Sequence, residues 1–189
     1  MKKIVLFASG NGTNAEQIIR CFNKSSFAIV TNVLTNNSDA KVIEKAKKLE
    51  VNTLIFNKSE LNDGLVLDEL YKIKPDLIVL AGFLLKFPEH IIKAYPNKII
   101  NIHPALLPNY GGKGMYGMNV HKAIFDKKEE ETGITIHYVT PNYDEGAIIF
   151  QKSVTISDCK SPEEIAQKVH QLEHKHFSKV ISDLLNPKF

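Results

Sequence analysis

The sequence has no tryptophan and only two cysteines, Cys21 and Cys159, far apart and without the spacing of metal ligands. A disulfide scaffold and a thiolate zinc framework are thereby excluded, and two reduced thiols are expected. No apolar run approaches the length of a membrane span. The opening run Ile4–Ala8 is broken by Gly10 and Asn11, too soon for a secretory signal. The expected location is the cytoplasm, with no membrane partner. Charge of either sign is also not in excess: 24 basic residues face 21 acidic ones, for a net charge of +3. Without a basic block or an array of arginines and aromatics, no nucleic-acid partner is expected. Repeats, low-complexity tracts and linkers are lacking, so residues 1–189 read as one domain.

An ordinary globular composition is present, 43% hydrophobic and 24% charged. Strand-like runs at Lys3–Ala8, Ala28–Thr35, Val51–Phe56 and Asp76–Ala81 alternate with helical periodicity. The helices are expected after Gly12, over Asp39–Leu49 with Ser38 or Asp39 as cap, over Leu61–Lys72 and over Phe87–Ala94. That alternation implies βαβ crossovers and an α/β, Rossmann-like open and mostly parallel sheet flanked by helices. Residues 98–104 then read as a strand stopped by Pro104, followed by a glycine-rich loop, Pro104–Gly117, and a helix over Asn119–Asp126. Gly133–Val139 and Ala147–Val154 are too close for a helical crossover and predict a C-terminal antiparallel hairpin. Ser161-Pro162-Glu163-Glu164 supplies an N-cap, a proline at N1 and a capping-box acid for a long final helix. Its apolar stripe is Ile165, Val169, Leu172, Val180, Ile181 and Leu184.

Asn101 and His103 stand two apart on the strand that ends at Pro104, so both side chains share one face. An amide donor and an imidazole at the carboxyl end of a parallel strand suit oxyanion stabilisation and proton movement. The competing reading is a polar strand end satisfied by nearby backbone. Asp144, in the hairpin loop before Glu145-Gly146, is placed to orient His103 and to favour its charged form; otherwise it is a turn former. Gly10-x-Gly12-x-x-Ala15 is a loose dinucleotide fingerprint, but the second strand ends Leu34-Thr35-Asn36-Asn37, with no acid to hold a ribose. A single phosphate on Gly12, Thr13 and Asn14, with side-chain donors from Thr13 and Asn14, is the expectation there, against a tight turn with no ligand. His170-Gln171-Leu172-Glu173-His174 spells the inverted zincin pattern with only His176 and Asp183 downstream as third-ligand candidates, and is read as an exposed or site-facing helix surface. Leu80–Phe87 carries apolar residues past a strand end, as core or as the wall of a slot for a flat ring.

Ser9–Asn14, Leu80-Ala81-Gly82-Phe83, Asn101–Pro108, Gly133–Val139 and Asp144-Glu145-Gly146, in this order, resemble the folate-dependent formyltransferases, specifically the phosphoribosylglycinamide formyltransferases. The resemblance covers nearly the whole chain. It implies formyl transfer from 10-formyltetrahydrofolate, as co-substrate, to the amine of glycinamide ribonucleotide in purine biosynthesis, with no metal and no enzyme nucleophile. It implies Asn101, His103 and Asp144 as the catalytic trio. The ribonucleotide phosphate and ribose would meet Gly12, Thr13, Asn14, His170 and Glu173. The pterin would enter a slot at Leu84, Leu85 and Phe87, closed by Val139, Thr140, Pro141 and Asp144, with Gly82 and His137 in support. Residues 1–100 would hold the phosphate-binding βαβ units and 101–189 the catalytic and folate-loop part, in a monomer or weak homodimer.

Three departures stand out: a long glycine-rich Tyr110–Met118 loop, Asn119 where a histidine is common, and Pro141 where an acid is common. Rival readings are another 10-formyltetrahydrofolate formyltransferase or hydrolase, and a non-catalytic nucleotide-binding module. A tRNA formyltransferase is expected to carry an RNA-binding domain, for which 189 residues leave no room, and the hydrolase a regulatory domain ahead of its catalytic one, where here the first strand begins at Lys3.

Overall fold

The computed structural model describes residues 1–186. Seven strands form one sheet: β1 (Lys2–Phe7), β2 (Ala28–Thr35), β3 (Asn52–Ile55), β4 (Leu77–Leu80), β5 (Ile99–His103), β6 (Glu131–Tyr138) and β7 (Ile148–Thr155). Their order is β3-β2-β1-β4-β5-β6-β7. Pairs from β3 through β5 are parallel, whereas β5–β6 and β6–β7 are antiparallel. The expected open, mostly parallel sheet with a C-terminal hairpin is therefore present. The antiparallel part begins one strand earlier than the hairpin, because β6 returns alongside β5.

Strand β1 explains the layering. Ile4 and Leu6 enter one apolar cluster, with Ala15, Ile18, Ile165 and Phe177, while Val5 and Phe7 enter another, with Leu70, Phe87 and Ile91. Alternating side chains of a strand covered on both faces must be apolar throughout. Each fully buried Leu, Ile or Phe contributes roughly 1.5–3 kcal/mol. The first cluster packs helices α1 (Thr13–Phe22), α6 (Met118–Asp126) and α7 (Pro162–Leu185) on the sheet. No helix among the described residues is long and apolar enough to cross a membrane.

Two helical expectations need correction. The segment expected as one helix over Leu61–Lys72 is two, α3 (Lys58–Asn62) and α4 (Leu65–Ile73). Asn57 and Glu60 form a reciprocal capping box that starts the first, and Gly64 at φ 102° separates them. Helix α2 (Val42–Lys48) starts later than expected and has no side-chain cap. Asn37 Oδ1 takes the Asp39 N–H at 3.0 Å in a turn, and Val42 N–H donates to Gly10 O at 3.2 Å. The start of α2 is thus tied to the glycine loop rather than to Ser38 or Asp39. Helix α5 (Glu89–Ala94) begins with Pro88 as its N-cap.

Helix α7 starts as expected, with Ser161 Oγ accepting from Glu164 N–H at 3.3 Å. Glu164 reaches one residue past the capping-box partner, to Lys160 N–H. Phe177 and Glu173 lie on its buried stripe, where Leu172 and Leu184 are only half-buried.

Candidate active site

The carboxyl ends of β1, β4 and β5 open into a cleft of about 850 Å³ that runs from Gly10 to Glu173. Strand order reverses at β1, whose neighbours β2 and β4 lie on opposite sides, and this is where open α/β sheets bind ligands.

The loop after β1 forms one arm. Gly12 adopts φ 65°, and a Cβ there would sit 2.3 Å from Val42 Cγ2, so only glycine fits against α2. The first turn of α1 leaves backbone N–H groups without helical partners, and Gly12, Thr13 and Asn14 line the cleft. Asn14 donates through Nδ2 to Glu173 Oε2 at 2.9 Å. That bond takes one amide hydrogen of Asn14 and leaves the second available to a ligand beside the loop backbone. His170 Nδ1 donates to the same Glu173 oxygen at 2.8 Å, and His170 Nε2 bonds Thr13 Oγ1 at 2.7 Å. The bond to Glu173 raises the His170 pKa above the ordinary imidazole value, against some loss from burial. Glu173 itself is buried.

At the other arm, β5 presents Asn101, half-buried, and His103, only 3% exposed. Thr135 and His137 of β6 lie opposite them in register. A carbonyl only accepts, so the contacts fix both ring tautomers. His103 donates from Nε2 to Tyr110 O at 2.7 Å, and His137 donates from Nδ1 to Tyr138 O at 2.9 Å. His137 Nε2 then accepts from Asn101 Nδ2 at 3.1 Å.

Asp144 comes from the β6–β7 loop at φ 56°, a left-handed conformation that Asp tolerates. Its Oδ2 accepts from Gly112 N–H at 2.9 Å and lies 3.6 Å from His103 Nδ1, while Oδ1 lies 3.6 Å from His137 Nε2. Burial pushes the Asp144 pKa up, but His137, His103 and the Gly112 N–H together bring it below the usual carboxylate value. Burial lowers the His103 pKa, and the opposing pull of Asp144 does not restore it. Burial thus works against the charged form of His103 that Asp144 favours.

Between the two arms, Leu84 is half-exposed, Leu85 lies against it, and Val139, Thr140 and Pro141 form the opposite rim. Phe87 borders the cleft from the core: it is 4% exposed and packs edge-on against Phe7, with ring centroids 5.1 Å apart. Gly82 turns the chain at φ 79° and accepts Ser9 N–H through its carbonyl, at 3.0 Å. Lys86 Nζ stands 5.9 Å above the Tyr143 ring, spanning the two rims.

Three contributors were not singled out from sequence. Tyr110 supplies the carbonyl that fixes His103, with its hydroxyl donating to Glu129 at 2.5 Å. Gly112 supplies the N–H that holds Asp144. His121, on α6, lines the cleft at 6% exposure. The first two act through backbone, which leaves no side-chain signal. His121 looks like an ordinary buried position of an amphipathic helix. The rings of His170 and His174 lie tilted at 50° with centroids 4.5 Å apart, His170 facing the cleft, and no three His, Cys, Asp or Glu among the described residues are grouped to hold a metal. Cys21 and Cys159 are both free.

The formyl transferase family matches residues 2–181. The chain is 39% identical over 187 residues to a chloroplastic phosphoribosylglycinamide formyltransferase of Arabidopsis thaliana, covering 95% of this chain and 64% of that protein. A cowpea (Vigna unguiculata) protein of the same name is covered over 61% of its length, so the chain spans less than two thirds of both plant relatives. To phosphoribosylglycinamide formyltransferase of Bacillus subtilis it is 35% identical over 192 residues, covering 98% of this chain and 95% of that one. A solved structure, glycinamide ribonucleotide transformylase 1 of Geobacillus kaustophilus, superposes with a TM-score of 0.89 at 32% identity, covering 98% of this chain and all of that one.

Proposed function

The chain belongs to the formyl transferase family, and from that we propose that it transfers the formyl group of 10-formyltetrahydrofolate to the amine of glycinamide ribonucleotide. The products are formylglycinamide ribonucleotide and tetrahydrofolate, a step of purine biosynthesis. One observation carries this reading: Asn101, His103 and Asp144 meet between an anion-binding loop and an apolar slot, with Asp144 Oδ2 3.6 Å from His103 Nδ1.

The ribonucleotide phosphate rests on the backbone N–H groups of Gly12 and Thr13 at the positive end of α1. Thr13 Oγ1, bonded to His170, adds a contact beside it. The ribose hydroxyls donate to Glu173, whose Oε2 already takes Asn14 and His170. The pterin occupies the slot between Leu84, Leu85 and Phe87 on one side and Val139, Thr140 and Pro141 on the other, its ring edges meeting backbone groups.

The substrate amine attacks the formyl carbon, and the carbonyl electrons move to oxygen. One Asn101 amide hydrogen is held by His137, which leaves the second to stabilise that oxyanion. A single donor of this kind is worth about a hundredfold or more in turnover. As the new C–N bond forms, the amine gives a proton to His103 Nδ1. The resulting imidazolium has both N–H groups satisfied, by Tyr110 O and by Asp144. The same proton passes to the folate nitrogen as its bond to the formyl carbon breaks, so one proton leaves the acceptor and one reaches the donor. The chemistry uses no metal and no covalent enzyme intermediate.

The test is turnover. With glycinamide ribonucleotide and 10-formyltetrahydrofolate, the protein is expected to release deformylated folate, followed by absorbance, and formylated acceptor, followed by mass. Well-folded protein that yields neither would overturn the reading in favour of a nucleotide-binding module.

A further inference from the structure

His121 has no part in the mechanism above, yet it sits in the same cleft. Its helix face is otherwise apolar, shared with Val120 and Ile124. The ring is more than nine-tenths buried, borders the cleft, and has an Nδ1 with no hydrogen-bond partner among the described residues. A buried N–H without an acceptor is costlier and rarer than a lone pair without a donor. The proton therefore belongs on Nε2, leaving the lone pair on Nδ1. Burial lowers the His121 pKa, opposed by Glu173 and reinforced by His103 and His170, which favours the uncharged ring. His121 lines one cleft with Glu173, the group that takes the ribose, and with His103, the group beside the reacting carbonyl.

We propose that His121 orients the acceptor by donating its Nε2–H to the amide carbonyl oxygen of the glycinamide arm. This rests on the ribonucleotide reading of the cleft. The middle of that substrate is an uncharged amide between the ribose and the attacking amine. An uncharged donor matches it without competing for the phosphate, which a cation would attract. Fixing that carbonyl sets the direction of the amine at the far end of a two-bond arm.

The experiment compares two ligands by calorimetric titration of the full chain: glycinamide ribonucleotide, and ribose 5-phosphate, which lacks the arm. Wild type is expected to bind the first more tightly. In His121→Asn, whose amide is too short to reach the Nε2 position, the gap between ligands narrows by about tenfold. Affinity for ribose 5-phosphate stays at the wild-type level. His121→Gln, whose amide nitrogen reaches that position, restores most of the gap. A loss shared equally by both ligands, a gap unchanged in His121→Asn, or Asn and Gln variants that behave alike would overturn the proposal. Wild type that binds neither ligand removes the ribonucleotide reading itself, and this inference with it.

Discussion

The Asp144 carboxylate stands 3.6 Å from Nδ1 of His103, and burial holds the pKa of that imidazole below its ordinary value against the attraction of the charge. The two atoms lie close enough together for one substrate amine, placed beside them, to reach both. The pair is built to receive a proton as the new bond forms.

The pH dependence of turnover follows from that arrangement. His103 titrates below the ordinary imidazole value and Asp144 below the ordinary carboxylate value, and both must be unprotonated to act. The acid limb of kcat that belongs to the enzyme should fall through the lowered His103 value, below the ordinary imidazole value. In Asp144→Asn the remaining activity should show its acid limb displaced further down, since the group that raised the His103 pKa is gone. A limb that falls as pH rises through neutrality would instead require a protonated imidazole.

His170 should behave in the opposite sense. Its folded-state pKa is raised, chiefly by Glu173. Its contribution to stability is then fully present below the ordinary imidazole value and is lost as pH rises through the raised one. The Tm difference between wild type and His170→Gln should be largest in acid and vanish in mild alkali. Affinity for ribose 5-phosphate should weaken over the same interval in wild type only. A Tm difference that is constant with pH would show that His170 carries no such linkage.

Gly12→Ala tests the loop. A methyl group would enter Val42, 2.3 Å away, at φ 65°. Strain of this kind costs roughly 1–3 kcal/mol. Lower Tm together with weaker ribose 5-phosphate binding is expected. An alanine variant with both at wild-type values would mean that the loop and α2 are not locked together.

Ser161→Ala removes the side-chain cap of the helix that carries His170 and Glu173. The cost is about 1 kcal/mol, equivalent to roughly 2–4 °C in Tm for a chain of this size. Thermal unfolding checks it, and an unchanged Tm would mean that Pro162 and the acidic first turn suffice without the cap.

Much of this was legible in the primary structure. Pro104 ends β5 where Asn101 and His103 share a face, and the short Thr140–Gly146 connection demands a hairpin that brings Asp144 back to them. The charge state of His103 was not legible, because it depends on how deeply the Pro104–Gly117 loop buries the ring and on the Tyr110 carbonyl that loop delivers. The start of α2 departs from its sequence signal for a similar reason. Its first N–H is satisfied by Gly10 O, distant in sequence, rather than by a local cap. His121 escaped notice because a polar residue on an apolar helix face has no periodic signature. Local chemistry writes itself into spacing, whereas desolvation and backbone donors arise only once distant segments meet.

The decisive measurement is kcat for formyl transfer by Asn101→Ala and Asp144→Asn, at saturating donor and acceptor and with unfolding temperatures matched to wild type. If Asn101 stabilises the oxyanion and Asp144 the imidazolium, each substitution lowers kcat by about a hundredfold or more while KM for either substrate changes little. Wild-type turnover in both variants would contradict the mechanism outright.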